Sequence, residues 1–154
     1  MDKADLVSKQ KYIFGSLFVL SNKLQVVMDR QLSQYDMTAK QWFLTAVIEE
    51  FFSTPPTLTE LAEAMGSTHQ NVKQIALKLQ KKDFVEIIKD DKDRRVTRVR
   101  LTKENDAFWK NRSEETSNFF QEFFQDLGEE ETGIMLSCLD KLYEGLLTIE
   151  TKLD

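Results

Sequence analysis

The segment from Thr57 to Thr102 constrains the fold more than any other part of the chain, because it carries signals for two helices, a tight turn and a hairpin. Thr57 and Glu60 have the three-residue spacing of a capping box, in which two side chains satisfy the first amides of a helix. Gly66 follows and can adopt a left-handed backbone at no steric cost. Thr68 then precedes apolar residues spaced three and four apart, which predict a second helix. These residues are Val72, Ile75, Ala76 and Leu79.

The polar side of this second helix carries groups that can contact nucleic acid. At about 100° per residue, the apolar positions share one face and the polar positions lie on the other. Amide, ammonium and imidazole groups at the start of a helix can hydrogen-bond base edges and phosphates. The candidate residues on this helix are Thr68, His69, Gln70, Asn71, Lys73, Gln74 and Lys78.

Two short runs with apolar residues at alternate positions predict a two-stranded hairpin. Val85 and Ile87 alternate with polar neighbours in the first run, as do Thr97, Val99 and Leu101 in the second. A charged hairpin alone would indicate a solvated face, but one that follows a helix-turn-helix is typical of a winged helix, with one helix in a major groove and the wing beside it. The candidate contacts in the polar tip are Lys92, Asp93, Arg94 and Arg95.

The basic charge of the chain is concentrated in the same region. The whole sequence has 21 lysines and arginines, 26 acidic residues and a net charge of −5. Residues 67–103 hold 11 basic and 5 acidic residues, a charge of +6, whereas the rest holds 10 and 21, a charge of −11. A local positive charge on the second helix and the hairpin is what binding to phosphates requires.

Three pieces of this region resemble the MarR family of bacterial transcriptional regulators: ELAEAMG from Glu60, KLQKKDFV from Lys78, and DRR from Asp93 followed by LT. They occur in the family order and spacing over about a third of the chain. The chain departs from the family pattern at Asp83 and Asn105, which replace glycines, and at Leu77, where the family is usually polar. Aspartate and asparagine tolerate a left-handed backbone better than most residues, so these two replacements are mild.

The resemblance implies a dimeric DNA-binding regulator. In the family, the arginine of the D-x-R motif enters the minor groove and the aspartate orients it, which corresponds here to Arg95 and Asp93. Arg94 is the neighbouring candidate for a phosphate contact. Two DNA-binding heads related by a two-fold axis also predict an inverted-repeat site in double-stranded DNA.

Long helices with apolar seams are predicted at both ends of the chain. Residues 5–32 lack proline, and their apolar positions step by four and three at Ile13, Leu17, Leu20, Leu24 and Val27. A second seam follows Gly128, at Met135, Leu139, Leu142, Leu146, Ile149 and Leu153. Two seams beside one small domain favour a homodimer, although the terminal helices could instead pack on each other within one chain. The predicted interface residues are Leu17, Leu24, Leu139, Leu142 and Leu146.

Two further helices are predicted between these parts. Thr38 and Gln41 repeat the capping-box spacing before a helix over about residues 39–52. We expect that helix to pack through Trp42, Phe43, Ala46, Val47 and Phe51. Thr102 is expected to cap one long helix that continues through Phe124 and is stopped or bent at Gly128.

Aromatic residues outside the helix-turn-helix are candidates for contact with a small molecule. MarR-like regulators commonly bind small aromatic or anionic compounds where the dimerisation helices meet the winged domain. Core packing alone would also explain most of these aromatics. The candidates are Tyr12, Phe14, Phe18, Trp42, Phe108 and Trp109.

Other chemistries find little support in the sequence. His69 is the only histidine and the glycines are scattered, which argues against catalytic triads, histidine-based metal sites and glycine-rich phosphate loops. Cys138, the single cysteine, lies in an apolar stripe, and we expect it to be a small buried hydrophobe. No cofactor or metal is expected. The start of the sequence lacks the features of a signal peptide, and no run approaches the roughly 20 apolar residues of a membrane span, so a cytoplasmic location is expected.

The sequence therefore predicts a mainly α fold with a small two-stranded wing, in which a winged helix-turn-helix is flanked by long N- and C-terminal dimerisation helices. We expect one domain over residues 1–154, with residues 38–102 as the DNA-binding part and residues 1–34 and 104–154 as dimerisation helices. The expected function is that of a DNA-binding transcriptional regulator, a repressor released by a small effector, and not of an enzyme. The alternative is a winged helix that binds protein and does not read DNA.

Overall fold

The computed structural model describes residues 3–153 and has the predicted mainly α architecture with a two-stranded wing. Met1, Asp2 and Asp154, which belong to the predicted dimerisation segments, lie outside the described residues. The elements in order are α1 (Lys3–Leu32), a single 3₁₀ turn (Ser33–Tyr35), α2 (Ala39–Phe51), α3 (Leu58–Ala64), α4 (His69–Gln80), β1 (Val85–Lys89), β2 (Thr97–Leu101), α5 (Lys103–Lys110), α6 (Ser113–Phe123) and α7 (Glu129–Glu150).

The chain divides into two compact units, Met1–Phe108 and Trp109–Asp154. The first unit contains α1 to α4 and the wing, and the second contains α6 and α7. Within the described part of the chain, no helix combines the length and the apolar character needed to cross a membrane.

The helix-turn-helix is defined by the caps that the sequence predicted. Thr57 N donates to Glu60 Oε2 at 2.6 Å and Glu60 N donates to Thr57 Oγ1 at 3.1 Å, which completes the capping box of α3. Gly66 has φ of +57°, so the turn uses the left-handed conformation that glycine adopts without strain. Asn71 N donates to Thr68 Oγ1 at 3.2 Å at the start of α4. The predicted turn between two capped helices is confirmed.

The hydrophobic core of the first unit lies between α2, α3, α4 and the wing. Val72, Ile75, Ala76 and Leu79 of α4 are all buried, as their spacing predicted. The prediction for α2 was partly wrong, because Phe43 and Phe51 are 40% and 73% exposed. The buried apolar stripe of α2 runs instead through Leu44, Val47 and Ile48, since that side of the helix meets α3 and α4. Trp42 and Ala46 are half-buried.

The corner between α1 and α2 is closed by local hydrogen bonds. Thr38 and Gln41 form the predicted capping box, with distances of 3.1 and 3.2 Å. Asp29 Oδ1 of α1 accepts a hydrogen bond from Ala39 N at 2.7 Å, so a side chain of α1 caps the start of α2. Asp36 has a left-handed backbone with φ of 52°.

The wing is an antiparallel hairpin in which Val85 pairs with Leu101 and Lys89 pairs with Thr97. The outer edge of β2 also pairs with the segment before α3: Thr57 forms an isolated bridge with Arg98, and Val99 N donates to the carbonyl oxygen of Pro56 at 2.9 Å. This pairing joins the wing to the body of the helix-turn-helix. The sequence did not predict it, because Pro56 and Thr57, which make this pairing, carry no strand pattern.

The two replacements of family glycines have different structural outcomes. Asp83 has φ of 60°, the left-handed conformation expected for that position. Asn105 is instead helical within α5 and only 1% exposed, and its backbone N donates to Thr102 Oγ1 at 3.2 Å. The left-handed explanation is therefore right for Asp83 and wrong for Asn105. Leu77, the third departure, is half-buried.

The long helix predicted after the wing is broken in two. Thr102 caps α5 as predicted, but α5 ends at Lys110 and α6 begins at Ser113. Arg112 leaves helical geometry with φ of −118° and ψ of 18°, within an Asn-Arg-Ser stretch whose first and last residues compete with the helix for backbone hydrogen bonds. Gly128 precedes α7, and its backbone N donates to Glu131 Oε2 at 3.0 Å.

Candidate nucleic-acid interface

The polar side of α4 is exposed along its whole length. All seven candidates on this helix have exposed side chains: Thr68, His69, Gln70, Asn71, Lys73, Gln74 and Lys78. The opposite side packs into the core, so the helix presents a polar surface that the half-buried Leu77 interrupts. Such a surface on the second helix of a helix-turn-helix is suited to enter a major groove.

The side chains at the start of α4 fall into two groups, those that form hydrogen bonds within the chain and those that do not. Asn71 Nδ2 donates to Ser67 Oγ at 2.9 Å, and Thr68 Oγ1 is occupied by the backbone of Asn71. These two residues therefore order the start of the helix. Gln70 and Gln74 make no hydrogen bond with other described residues, which leaves their amide groups available to a ligand.

The tip of the wing holds an arginine in a defined orientation. Asp93 accepts hydrogen bonds from Arg95 Nε and Nη2, both at 3.1 Å, and from Arg95 N at 3.0 Å. The side chain of Arg95 is nevertheless 91% exposed. The hydrogen bonds from the Arg95 guanidinium lower the pKa of the Asp93 carboxyl group below its usual value. The structure thus brings together the pair that the family motif assigns to minor-groove contact. Lys92 and Arg94 are exposed beside it.

A second ion pair at the wing was not predicted from the sequence. Arg98 Nε donates to Asp90 Oδ2, and Arg98 Nη1 donates to the carbonyl oxygen of Pro55 at 2.8 Å. Asp90 Oδ1 also accepts from Lys92 N at 2.8 Å and from Asp93 N at 2.9 Å. Arg98 therefore connects the tip to the loop before α3. It lowers the pKa of Asp90 to about 2, with the two backbone hydrogen bonds adding to this effect.

The sequence alone indicates only part of this network, in which Arg98 contacts both Asp90 and the carbonyl of Pro55. An aspartate that precedes a charged turn and accepts backbone amides is a recognisable turn motif. The contact between Arg98 and Pro55 spans 43 positions and depends on the pairing of β2 with the segment before α3.

The aromatic candidates of the first unit do not all line one cavity. An apolar cleft of about 520 Å³ lies between α1, α2 and the turn that precedes α4, and Trp42 is the one candidate that lines it. Phe43, Leu17 and Leu24 line the same cleft. Tyr12, Phe14 and Phe18 are exposed on α1 and are 61 to 79% accessible. Phe108 packs against Tyr35 and Phe84, with ring centroids 5.5 and 5.0 Å away. Trp109 is half-buried in the second unit.

The predicted dimer residues lie on apolar faces that the single chain leaves uncovered. Leu17 of α1 is 39% exposed, and Leu139, Leu142 and Leu146 of α7 are 43, 50 and 50% exposed; Leu24 is half-buried. Cys138 is exposed on α7, contrary to the expectation of a buried thiol, because the whole apolar side of that helix is uncovered.

Among residues 3–153, no group of three or more histidine, cysteine, aspartate or glutamate side chains is arranged to hold a metal ion. The ionisable groups with clearly shifted pKa values in the first unit belong to ion pairs and caps of the wing and of α3.

Comparison with known proteins identifies the fold. No protein-family model and no curated protein sequence matches the chain. Solved structures match along nearly its whole length. A MarR protein from Peptoclostridium difficile has a TM-score of 0.75 at 20% identity and covers 92% of both chains. FabT from Streptococcus pneumoniae, solved in complex with DNA, has a TM-score of 0.66 at 21% identity over 91% of this chain and 99% of its own. MepR from S. aureus, also solved with DNA, has a TM-score of 0.70 at 22% identity over 86% and 97%.

Proposed function

We propose that this chain, which has the MarR-type winged helix-turn-helix fold, is a dimeric DNA-binding transcriptional regulator. The observation that carries the proposal is the row of exposed polar side chains on α4 together with the oriented Arg95 at the wing tip. Amide and lysine groups on the helix suit base edges and phosphates, and an exposed guanidinium suits the minor groove. FabT and MepR, which share this fold, were solved with DNA.

The charge distribution supports the same function. Residues 67–103, which contain α4 and the wing, have a charge of +6, while the rest of the chain has a charge of −11. An acidic protein of this kind is repelled by DNA except through its basic surface, so the charge favours one orientation of approach. The same basic surface argues against a winged helix that binds only protein.

Dimerisation is proposed from the uncovered apolar faces of α1 and α7. Apolar side chains exposed along one side of a long helix are typical of a protein–protein interface. A second copy would cover these faces and would relate the two α4 helices by a two-fold axis. The operator would then be an inverted repeat with half-sites about one helical turn apart.

Regulation by a small molecule is proposed at the apolar cleft beside Trp42. The cleft lies between α1, which carries one of the proposed dimer faces, and the helix-turn-helix. An aromatic or anionic compound bound there would favour one spacing of the two α4 helices over another. A ligand that disfavours the DNA-binding spacing would release the operator, which corresponds to a repressor relieved by its effector.

Selection of bound sequences from a random duplex pool tests the function directly. We expect the wild-type protein to enrich an inverted repeat, and fluorescence anisotropy across 50 to 200 mM salt to show a steep fall in affinity for the enriched duplex. A shuffled duplex of the same composition should bind about 10³-fold more weakly or worse. Equal affinity for the enriched and shuffled duplexes would contradict sequence-specific regulation, and no binding at any salt concentration would favour a protein-interaction module.

A further inference from the structure

A second cleft, of about 810 Å³, lies between the corner of α1 and α2 and the flank of α4. Four lysines line it, one from α2 and three from the end of α4 and the residues after it. Lys40 is in the first turn of α2, Lys78 is in α4, and Lys81 and Lys82 follow α4 directly. We call this surface the lysine cleft.

The acidic residues of the lysine cleft are already engaged. Asp29 caps the start of α2 through Ala39 N at 2.7 Å, and the Asp36 carboxylate pairs with Lys82 Nζ at 2.9 Å. No acidic side chain among residues 3–153 forms an ion pair with the other three lysines. Three uncompensated cations therefore line one cleft: Lys40, Lys78 and Lys81.

Lys40 is the second residue of α2, where the helix start carries a partial positive charge and gives a cation no stabilisation. The Asp29 carboxylate offsets part of that charge by accepting a hydrogen bond from Ala39 N at 2.7 Å. Among the described residues, no carboxylate forms an ion pair with Lys40 itself. Its ammonium group is therefore available to an external anion.

The lysine cleft is continuous with the proposed DNA-binding surface. Asn71 and Lys78, which belong to the polar side of α4, also line the cleft. Lysine is a mobile point charge that suits phosphate oxygens without a fixed geometry. Cations spread along an open surface beside a groove-binding helix suit successive phosphates of one strand better than a single small anion.

We propose that Lys40, Lys78 and Lys81 bind backbone phosphates of the DNA strand that flanks the groove entered by α4. This inference rests on the proposed function and extends the DNA contact beyond α4 and the wing. It adds Lys40 and Lys81 to the interface, and Lys40 comes from a helix outside the basic segment of residues 67–103.

Lys40→Gln and Lys81→Gln, alone and together, test the lysine cleft. Lys11→Gln is the matched control, because Lys11 is also exposed on the first unit but lies about 27 Å along α1 from Asp29 at 1.5 Å per residue. Affinities are measured by anisotropy from 50 to 200 mM salt on the enriched duplex and on a shuffled duplex. Each cleft substitution should reduce the slope of log affinity against log salt concentration by about 0.9 on both duplexes. The control should leave the slope unchanged.

Thermal unfolding separates this role from a structural one. Lys40→Gln should unfold at about the same temperature as the wild type, because Lys40 forms no ion pair with the other described residues. Unchanged salt slopes in the double variant, with the enriched duplex still preferred by the wild type, would overturn the inference and leave the proposed function standing. A loss of affinity for the enriched duplex alone would also overturn the inference, since phosphate contacts are made with any sequence. If the wild type has no preferred duplex, the proposed function itself fails.

Discussion

Gln70 and Arg95 differ in how firmly the folded chain holds their exposed side chains. Arg95 is held by Asp93 through three hydrogen bonds before any partner arrives. Gln70 and Gln74 make none within the described chain and must lose rotamer freedom on binding. We therefore propose rigid positioning for the wing and adaptable base contact for α4.

Replacement of Gln70 or Gln74 by Ala should reduce discrimination between sequences. Glutamine can bind adenine through two hydrogen bonds. Each change should therefore weaken the free energy of binding by about 1–3 kcal/mol for the enriched duplex and by little for the shuffled one. Gln80→Ala is the control, because Gln80 is exposed in the last turn of the same helix, away from the end proposed to read bases. Equal losses on both duplexes, measured by anisotropy, would show that these side chains do not specify sequence.

Asp93→Ala should weaken DNA binding although it removes a negative charge from the interface. The Arg95 guanidinium would lose the carboxylate that orients it, so the effect should approach that of Arg95→Ala, about 1–3 kcal/mol. Asp91→Ala is the control. It removes an exposed carboxylate of the same tip, and because Asp91 forms no ion pair with other described residues, this variant should bind DNA no more weakly than the wild type. Tighter binding by Asp93→Ala would reject the orienting role.

At the scale of elements, the wing is attached to the rest of the first unit at its base and near its tip. Its strands join it to the chain before α5, and Arg98 ties its tip to the carbonyl of Pro55 in the loop before α3. Asp90 completes this anchor by accepting hydrogen bonds from Arg98 and from two backbone amides of the tip. The angle of the wing relative to α4 therefore depends on a charged network.

The stability that Asp90 contributes should depend on pH. Its pKa in the folded protein is about 2, below the ordinary value of 3.8, so the ionised carboxylate stabilises the fold fully above about pH 4 and loses this effect as the pH falls towards 2. Urea unfolding at pH 7, 5, 4 and 3 should show the wild type more stable than Asp90→Asn at neutral pH, with the difference narrowing below pH 4. Asp91→Asn controls for the loss of one charge at the tip. A difference that is constant across this range would contradict the pairing with Arg98.

At the scale of the whole molecule, apolar surface remains uncovered in each of the two units. Leucine side chains on one side of α1 and on one side of α7 are 39 to 50% exposed. These residues are Leu17 and Leu20 on α1 and Leu142 and Leu146 on α7. Residues that are spaced by threes and fours on long helices normally pack against another helix. Association of two chains is the proposal that covers these faces.

The paired change Leu139→Glu and Leu146→Glu should abolish the dimer. Both positions lie on the apolar side of α7, and two carboxylates buried there without partners would be strongly unfavourable. Ser137→Glu with Thr148→Glu adds the same charge about 160–180° around the helix from Leu139 and is the matched control. Analytical ultracentrifugation should show a monomer for the first variant and a dimer for the second. A stable dimer of the first variant would reject this interface.

A phenolic carboxylate such as 2-hydroxybenzoate should quench tryptophan fluorescence and release DNA over one concentration range. Linkage requires the ligand and DNA to weaken each other by the same factor, typically about 5–150-fold. The Trp42→Phe variant should lose the quenching because Trp42 lines the apolar cleft, whereas Trp109→Phe should retain it. Quenching without any change in DNA affinity would mean that the cleft binds a ligand but does not control DNA binding.

Features that depend on neighbours in the chain could be predicted from the sequence alone. The capping boxes of α2 and α3, the left-handed turns at Gly66 and Asp83, and the buried side of α4 all involve residues within a few positions of each other. Their geometry follows from local sterics and hydrogen bonding, which do not require the rest of the fold. The charged tip and its D-x-R motif belong to the same group.

Other features were decided only by the tertiary structure. The side of α2 that meets α3 and α4 runs through Leu44 and Ile48 rather than Phe43 and Phe51, because several sides of that helix are apolar and only packing selects one. Packing likewise brings Arg98 to the carbonyl of Pro55, 43 positions earlier in the chain. The lysine cleft arises in the same way, since α1 and α2 meet α4 at an angle that the spacing of residues along each helix does not encode.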